Sequence, residues 1–100
     1  MDQSMRNQFQ KSLDKTVGIL LGGKFCNARA GLMSEQQMQL FGDLKITGAS
    51  EAIVTMSVPP LRWVIVRGVL TSGKRNEYLF EFDHMSLAVR RHIRNFISGY

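Results

Sequence analysis

Apolar and polar positions alternate through the second half of the chain in a way that predicts three strands followed by a helix. Glu51 to Val58 alternates until Pro59-Pro60 stops it. Leu61 to Leu70 is a second run rich in Trp, Val and Ile, closed by the polar stretch Thr71 to Asn76. Glu77 to Phe82 is a third, with Phe80 and Phe82 on the face expected to enter the core. Ser86 is a good N-cap, and Val89, Ile93, Phe96 and Ile97 then fall on one stripe of a helix spanning 86–98. Arg90, Arg91 and Arg94 lie off that stripe, and Gly99 suits the C-terminal cap. Consecutive strands joined by short polar turns predict an antiparallel sheet with a helix packed on it.

The first half is less regular. Thr16 to Leu21 reads as a buried strand, Gly22-Gly23 as a turn with positive φ, and Lys24 to Arg29 as the returning strand of a hairpin. Between Ala30 and Thr47 the pattern leaves two readings of Ser34 to Phe41, a helical turn or a loop followed by a strand. Residues 1–14 are polar, with Met5, Phe9 and Leu13 at a helix-compatible spacing. They are expected to form an N-terminal arm, leaving 15–100 as one folded domain.

Composition narrows the class. A chain of 100 residues, 44% apolar and 21% charged, is ordinary globular material for a single core. No segment approaches the roughly 18 unbroken apolar residues of a membrane span, and the polar N-terminus lacks a signal-peptide apolar segment, so a cytoplasmic protein without membrane insertion is expected. Cys26 is the sole cysteine, which excludes an internal disulfide and a cysteine-based zinc site. Cys26 itself reads as a small apolar residue. The net charge of +5 is concentrated at the C-terminus, where Arg90, Arg91, His92 and Arg94 occur with no carboxylate in the last 16 residues. Such a bias favours an anionic partner: a nucleotide, a nucleic acid or an acidic protein surface.

Catalytic signals are scarce. Asp83, His84 and Ser86 hold the letters of a triad, but neighbours on one turn seldom point at one another. His84 and His92 have no third ligand nearby, and no phosphate-binding glycine motif is present. The expectation is a binding module rather than an enzyme, with no metal and no cofactor.

Together these segments resemble the PilZ domain, a small six-stranded β-barrel with a C-terminal helix that serves as a bacterial receptor for cyclic di-GMP. Gly48 to Pro59 looks like the family's "G-x-x-v-x-l-x-l-P" strand and Arg62 to Leu70 like the strand after it. Tyr78 to Ser86, followed by Arg90 to Ile97, looks like its "y-x-l-g-v-x-F-x-x-l-s" ending and helix. The resemblance covers about half the chain and implies a mostly β fold, a small antiparallel PilZ-like barrel with a C-terminal α-helix.

The family holds cyclic di-GMP with an Arg-x-x-x-Arg and an Asp/Asn-x-Ser-x-x-Gly, in which guanidinium forks bond phosphates and guanine edges. Here Arg6 has Gln10 where the second arginine belongs, with Lys11 one place late. Asn27 to Gly31 is one residue short of the second motif and carries Arg29 at the serine place; counted back from Gly31, Cys26 and Ala28 take the Asp/Asn and Ser places. The resemblance therefore implies either a module that has lost the nucleotide and works by protein contact, or a weakened cyclic di-GMP site built from Arg6, Lys11, Asn27, Arg29 and Gly31. Loss of one bidentate arginine removes about 1.5–3 kcal/mol of charge-assisted bonding, about tenfold to a hundredfold in affinity. A protein partner would meet Trp63, Arg90, Arg91 and Arg94. The role implied is signalling in bacterial motility, secretion or exopolysaccharide production.

Two rivals stand beside this reading. A small nucleic-acid-binding barrel would use Arg62, Arg67, Lys74 and Arg75 on phosphates and stack bases on Trp63 or Tyr78. An oligomeric subunit would bury a methionine-rich surface between copies, drawing on the chain's six methionines.

Overall fold

The computed structural model describes residues 10–46, 48–60 and 62–99. Seven strands follow in chain order: β1 (Lys11–Ser12), β2 (Thr16–Leu21), β3 (Lys24–Met33), β4 (Gln37–Phe41), β5 (Ala49–Val58), β6 (Arg62–Ser72) and β7 (Glu77–His84). One helix, α1 (Leu87–Ile97), completes the described chain. Every pairing is antiparallel, in the order β3-β2-β5-β6-β7-β4, and β4 returns to β3 to close a six-stranded barrel. Closure removes most of the exposed sheet edge.

The strands of the second half form where the alternation places them, each extended by two residues: β5 starts at Ala49, β6 takes in Thr71 and Ser72 from the expected turn, and β7 continues to His84. Val54, Met56, Val58, Val66, Leu70 and Phe80 are fully buried, and their polar neighbours face outward. Phe80 packs edge-on against Phe82 with ring centroids 5.7 Å apart, although Phe82 is only half-buried, at the barrel end beneath α1. The segment that sequence left open is a loop and then a strand: Gln37 and Gln39 face out while Met38 and Leu40 enter the core. Ser34 shapes the turn before it, its hydroxyl accepting the backbone N–H groups of Gln36 and Gln37. Met33, Met38 and Met56 line this interior, so they supply no methionine-rich outer surface.

The boundary expected at residue 14 falls inside the sheet. Residues 1–9 lie outside the described residues, but β1 pairs with β3 and Leu13 is buried. β1 and β2 run along the same side of β3, interrupted by a kink at Asp14, whose φ is 53°. Across the kink the Leu13 N–H donates to the Gly31 carbonyl and the Ala30 N–H to that of Lys15. β3 is correspondingly longer than the hairpin arm expected at Arg29, reaching Met33.

The helix covers one end of the barrel. The Ser86 hydroxyl caps it by accepting the Val89 N–H at 3.2 Å, and Ile93 and Phe96 are buried. Burying those two side chains is worth about 1.5–3 kcal/mol each before entropy is counted. His92 Nε2 donates to the Val58 carbonyl at 3.0 Å, and the Arg94 guanidinium donates two hydrogen bonds to the Glu35 carboxylate. Lys11 Nζ lies 5.0 Å over the Phe96 ring. α1 is thereby tied to β5, to the β3–β4 turn and to β1.

Candidate functional site

The outer wall formed by β6, β5, β2 and β3 carries an unusual density of apolar side chains. Trp63, Ile65 and Phe25 are each more than two-thirds exposed, and Leu20 is 40% exposed. The register explains their proximity. Arg67, Ile53, Leu20 and Phe25 form one cross-strand row, and Ile65, Thr55, Gly18 and Asn27 the next. Trp63, opposite Ser57, lies two residues beyond Ile65 on the same face. The Phe25 ring lies across Gly18, where an added Cβ would come within 2.7 Å of it. Arg67 belongs to this surface and Arg62 stands at the strand end next to Trp63, and neither is ion-paired among the described residues. An exposed apolar surface with a cationic rim fits contact with another macromolecule.

The motif residues fall into three groups. Asn27, Arg29 and Gly31 share the outward face of β3, between buried Ala28 and Ala30. The Arg29 guanidinium is bonded to the Asp14 carboxylate, with both side chains mostly exposed. Gly31 is closely covered, since a Cβ there would meet the Phe41 ring at 2.6 Å and Gln39 Oε1 at 2.9 Å. Lys11 stands apart. It pairs with inward-facing Met33 and reaches Phe96, because an irregularity between Ala30 and Met33 switches the faces of the strand. Arg6 lies outside the described residues.

Of the protein-contact candidates, Trp63, Arg90 and Arg91 are exposed, whereas Arg94 is engaged with Glu35. The nucleic-acid set does not assemble. Arg67 lies on the outer face of β6, Arg62 starts that strand in the inward register of Val64 and Val66, and Lys74 and Arg75 lie in the β6–β7 turn beyond its far end. Tyr78 cannot stack a base, being buried with its hydroxyl bonded to both the N–H and the carbonyl of Leu44. Sequence reasoning missed Leu20, Phe25 and Ile65. For Ile65 a signal existed, since Val64 and Val66 enter the core and force the residue between them outward.

Among the described residues no group of three His, Cys, Asp or Glu side chains is placed to hold a metal ion. No described helix is long and apolar enough to cross a membrane.

No protein-family model and no curated protein matches the sequence. Solved structures do match in shape. The Bacillus subtilis inhibitor of motility MotI/DgrA aligns with a TM-score of 0.77 at 8% identity, over 89% of this chain. This chain spans 47% of the length of that protein. The PilZ domain of CeSA from a cellulose-synthesizing bacterium aligns with a TM-score of 0.69 at 10% identity, over 90% of this chain and 95% of that one. The closed six-stranded barrel, its C-terminal helix and these two likenesses make the chain a PilZ-like domain in fold.

Proposed function

We propose that this PilZ-like domain is a non-enzymatic adaptor in cytoplasmic bacterial signalling, acting through a protein partner that docks on the outer wall around Trp63. The observation that carries the reading is that wall: Trp63 and Ile65 stand exposed on one face of β6, beside the row that runs from Arg67 to Leu20 and Phe25. Trp is among the side chains that most often dominate binding energy at protein interfaces. The pathway would be control of motility, secretion or exopolysaccharide production. Its support is the fold shared with an inhibitor of motility and with a PilZ domain from a cellulose-synthesizing bacterium.

A cyclic di-GMP receptor is the second reading, favoured by the common outward face of Asn27, Arg29 and Gly31. Against it, Arg29 would have to exchange Asp14 for the nucleotide, and Lys11 lies on the other face of the wall.

Two measurements separate these readings. Proteins that co-purify with the full chain are compared with those retained by a Trp63→Ser/Ile65→Ser variant, which leaves the core untouched. Selective loss of a partner supports the adaptor, and an unchanged set refutes this docking face. Calorimetric titration with cyclic di-GMP tests the receptor reading. Micromolar binding that Arg29→Ala abolishes would establish it, and absence of heat would dismiss it.

A further inference from the structure

The two ends of the barrel are built differently. α1 covers one, while at the other β4 reaches only as far as Arg29 along β3, leaving the stretch from Lys24 to Ala28 without a strand on that side. The chain after Gly42 crosses there instead, pinned where the Tyr78 hydroxyl bonds Leu44. Between this crossing and β3 opens a cavity of about 720 Å³, within the size range of small-molecule sites.

Leu21, Cys26, Leu44 and Ile46 supply its apolar walls, and Lys24, Asp43, Lys45, Ser50 and Glu51 its polar ones. Of the charges, that of Lys24 is the one set over the apolar part. Lys24 pairs across the hairpin with Leu21 and shares a strand face with Cys26, so its ammonium belongs to the cavity side of the wall. Lys24 has no ion-pair partner among the described residues. The other charges do not cancel it. Lys45 lies 3.8 Å from Asp43, which offsets it, and Glu51, also without an ion-pair partner among the described residues, precedes buried Ala52 on the outward face of β5, the face opposite to that of Lys24 on β3.

We propose that this cavity binds an anionic amphiphile, its carboxylate or equivalent head on Lys24 and its apolar body against Leu21, Leu44 and Ile46. The site meets the docking wall at Phe25, which borders both, and shares no residue with Trp63, Ile65 or the Asn27–Gly31 face. Because Cys26 is the chain's sole cysteine and lines the cavity, its thiol reports occupancy at this place and no other.

The test uses the full chain with decanoate and decylammonium, both below micelle-forming concentration, and follows alkylation of Cys26 by neutral iodoacetamide. Decanoate should slow the reaction several-fold in a saturable way, and decylammonium should not. Lys24→Glu should invert that preference, Ile46→Arg should abolish protection, and Trp63→Ser should leave it intact. Equal protection by both amphiphiles, calorimetric heat without protection, or no effect of decanoate would each overturn the proposal. Far-ultraviolet circular dichroism of each variant establishes that the barrel is retained. If Ile46→Arg fails to fold, the charge inversion by Lys24→Glu at this exposed position still decides.

Discussion

Replacing Gly68 with alanine would put a methyl group 2.1 Å from the carbonyl oxygen of Glu81 and 2.9 Å from Cζ of Phe80. The first neighbour is backbone, so no rotamer change relieves the contact. β6 or β7 must move by more than an ångström, and they join at an irregularity where Arg67 pairs with His84 but Gly68 with Phe82. Overpacking a close-packed core costs about 1–3 kcal/mol, and the backbone origin of this clash places it at the upper end. Alanine recovers about 0.4–1 kcal/mol by restricting the unfolded chain, leaving a net loss of roughly 2 kcal/mol. For a domain of this size that lowers Tm by about 8–16 °C. The assay is urea denaturation of wild type, Gly68→Ala and Gly42→Ala with unchanged m-values. Gly42→Ala is the control, because its Cβ would meet Ala28 Cβ at an ordinary 3.5 Å. Indistinguishable midpoints for Gly68→Ala and wild type would refute the reasoning that this glycine is demanded by close approach.

Tyr78→Phe removes the hydroxyl that satisfies both backbone groups of Leu44. The Leu44 carbonyl keeps the Ile46 N–H at 3.0 Å, but leaving the Leu44 N–H unpaired should cost about 1–3 kcal/mol in urea denaturation. Ser86→Ala deletes the N-cap of α1 and should cost about 0.5–2 kcal/mol, read in the same way. The Glu35–Arg94 pair is partly exposed, so a double-mutant cycle with alanine should give a coupling of about 0.2–1 kcal/mol that shrinks at high salt. Arg91→Ala removes an exposed side chain with no ion pair among the described residues and should leave stability within about 0.5 kcal/mol of wild type.

Much of the fold could be read from residues because the physics is local. Glu51 to Val58 alternates with period two between a turn and a double proline, and the apolar stripe from Val89 to Ile97 has the helical period. Ser34 to Phe41 was ambiguous for an equally physical reason. Glutamine and methionine are good helix formers, so local propensity opposed the alternation that closure between β3 and β7 finally enforces. The candidate site was harder to see. A run such as Trp63 to Val66 shows which residues alternate, but not that the wall beyond its outward members stays bare. Lys11 is the clearest case of lost information. Its place beside Arg6 in the chain suggested a nucleotide clamp, but the irregularity in β3 past Ala30 assigns it to the face occupied by Phe96. A slip of one residue reverses a side chain's direction, and nothing in the residue types from Lys11 to Lys15 announces it.

The basic C-terminus shows how charge counted along a sequence differs from charge available to a partner. Four cationic or titratable side chains between Arg90 and Arg94 predicted an anionic ligand for the helix. In the fold, Arg94 is spent on Glu35 and His92 on the Val58 carbonyl, both contacts that hold α1 over the barrel end. Only Arg90 and Arg91 remain without an ion-pair partner among the described residues. Two exposed guanidinium groups add steering and salt dependence to an encounter but little affinity of their own. The energy of a stable contact must then come from buried apolar area, which the helix has largely used in packing Ile93 and Phe96, with Leu87 at its first turn left exposed. The wall around Trp63, Ile65 and Phe25 still has that area to bury. If a protein docks on this domain, the helix arginines would set how fast it arrives, and the apolar wall how long it stays.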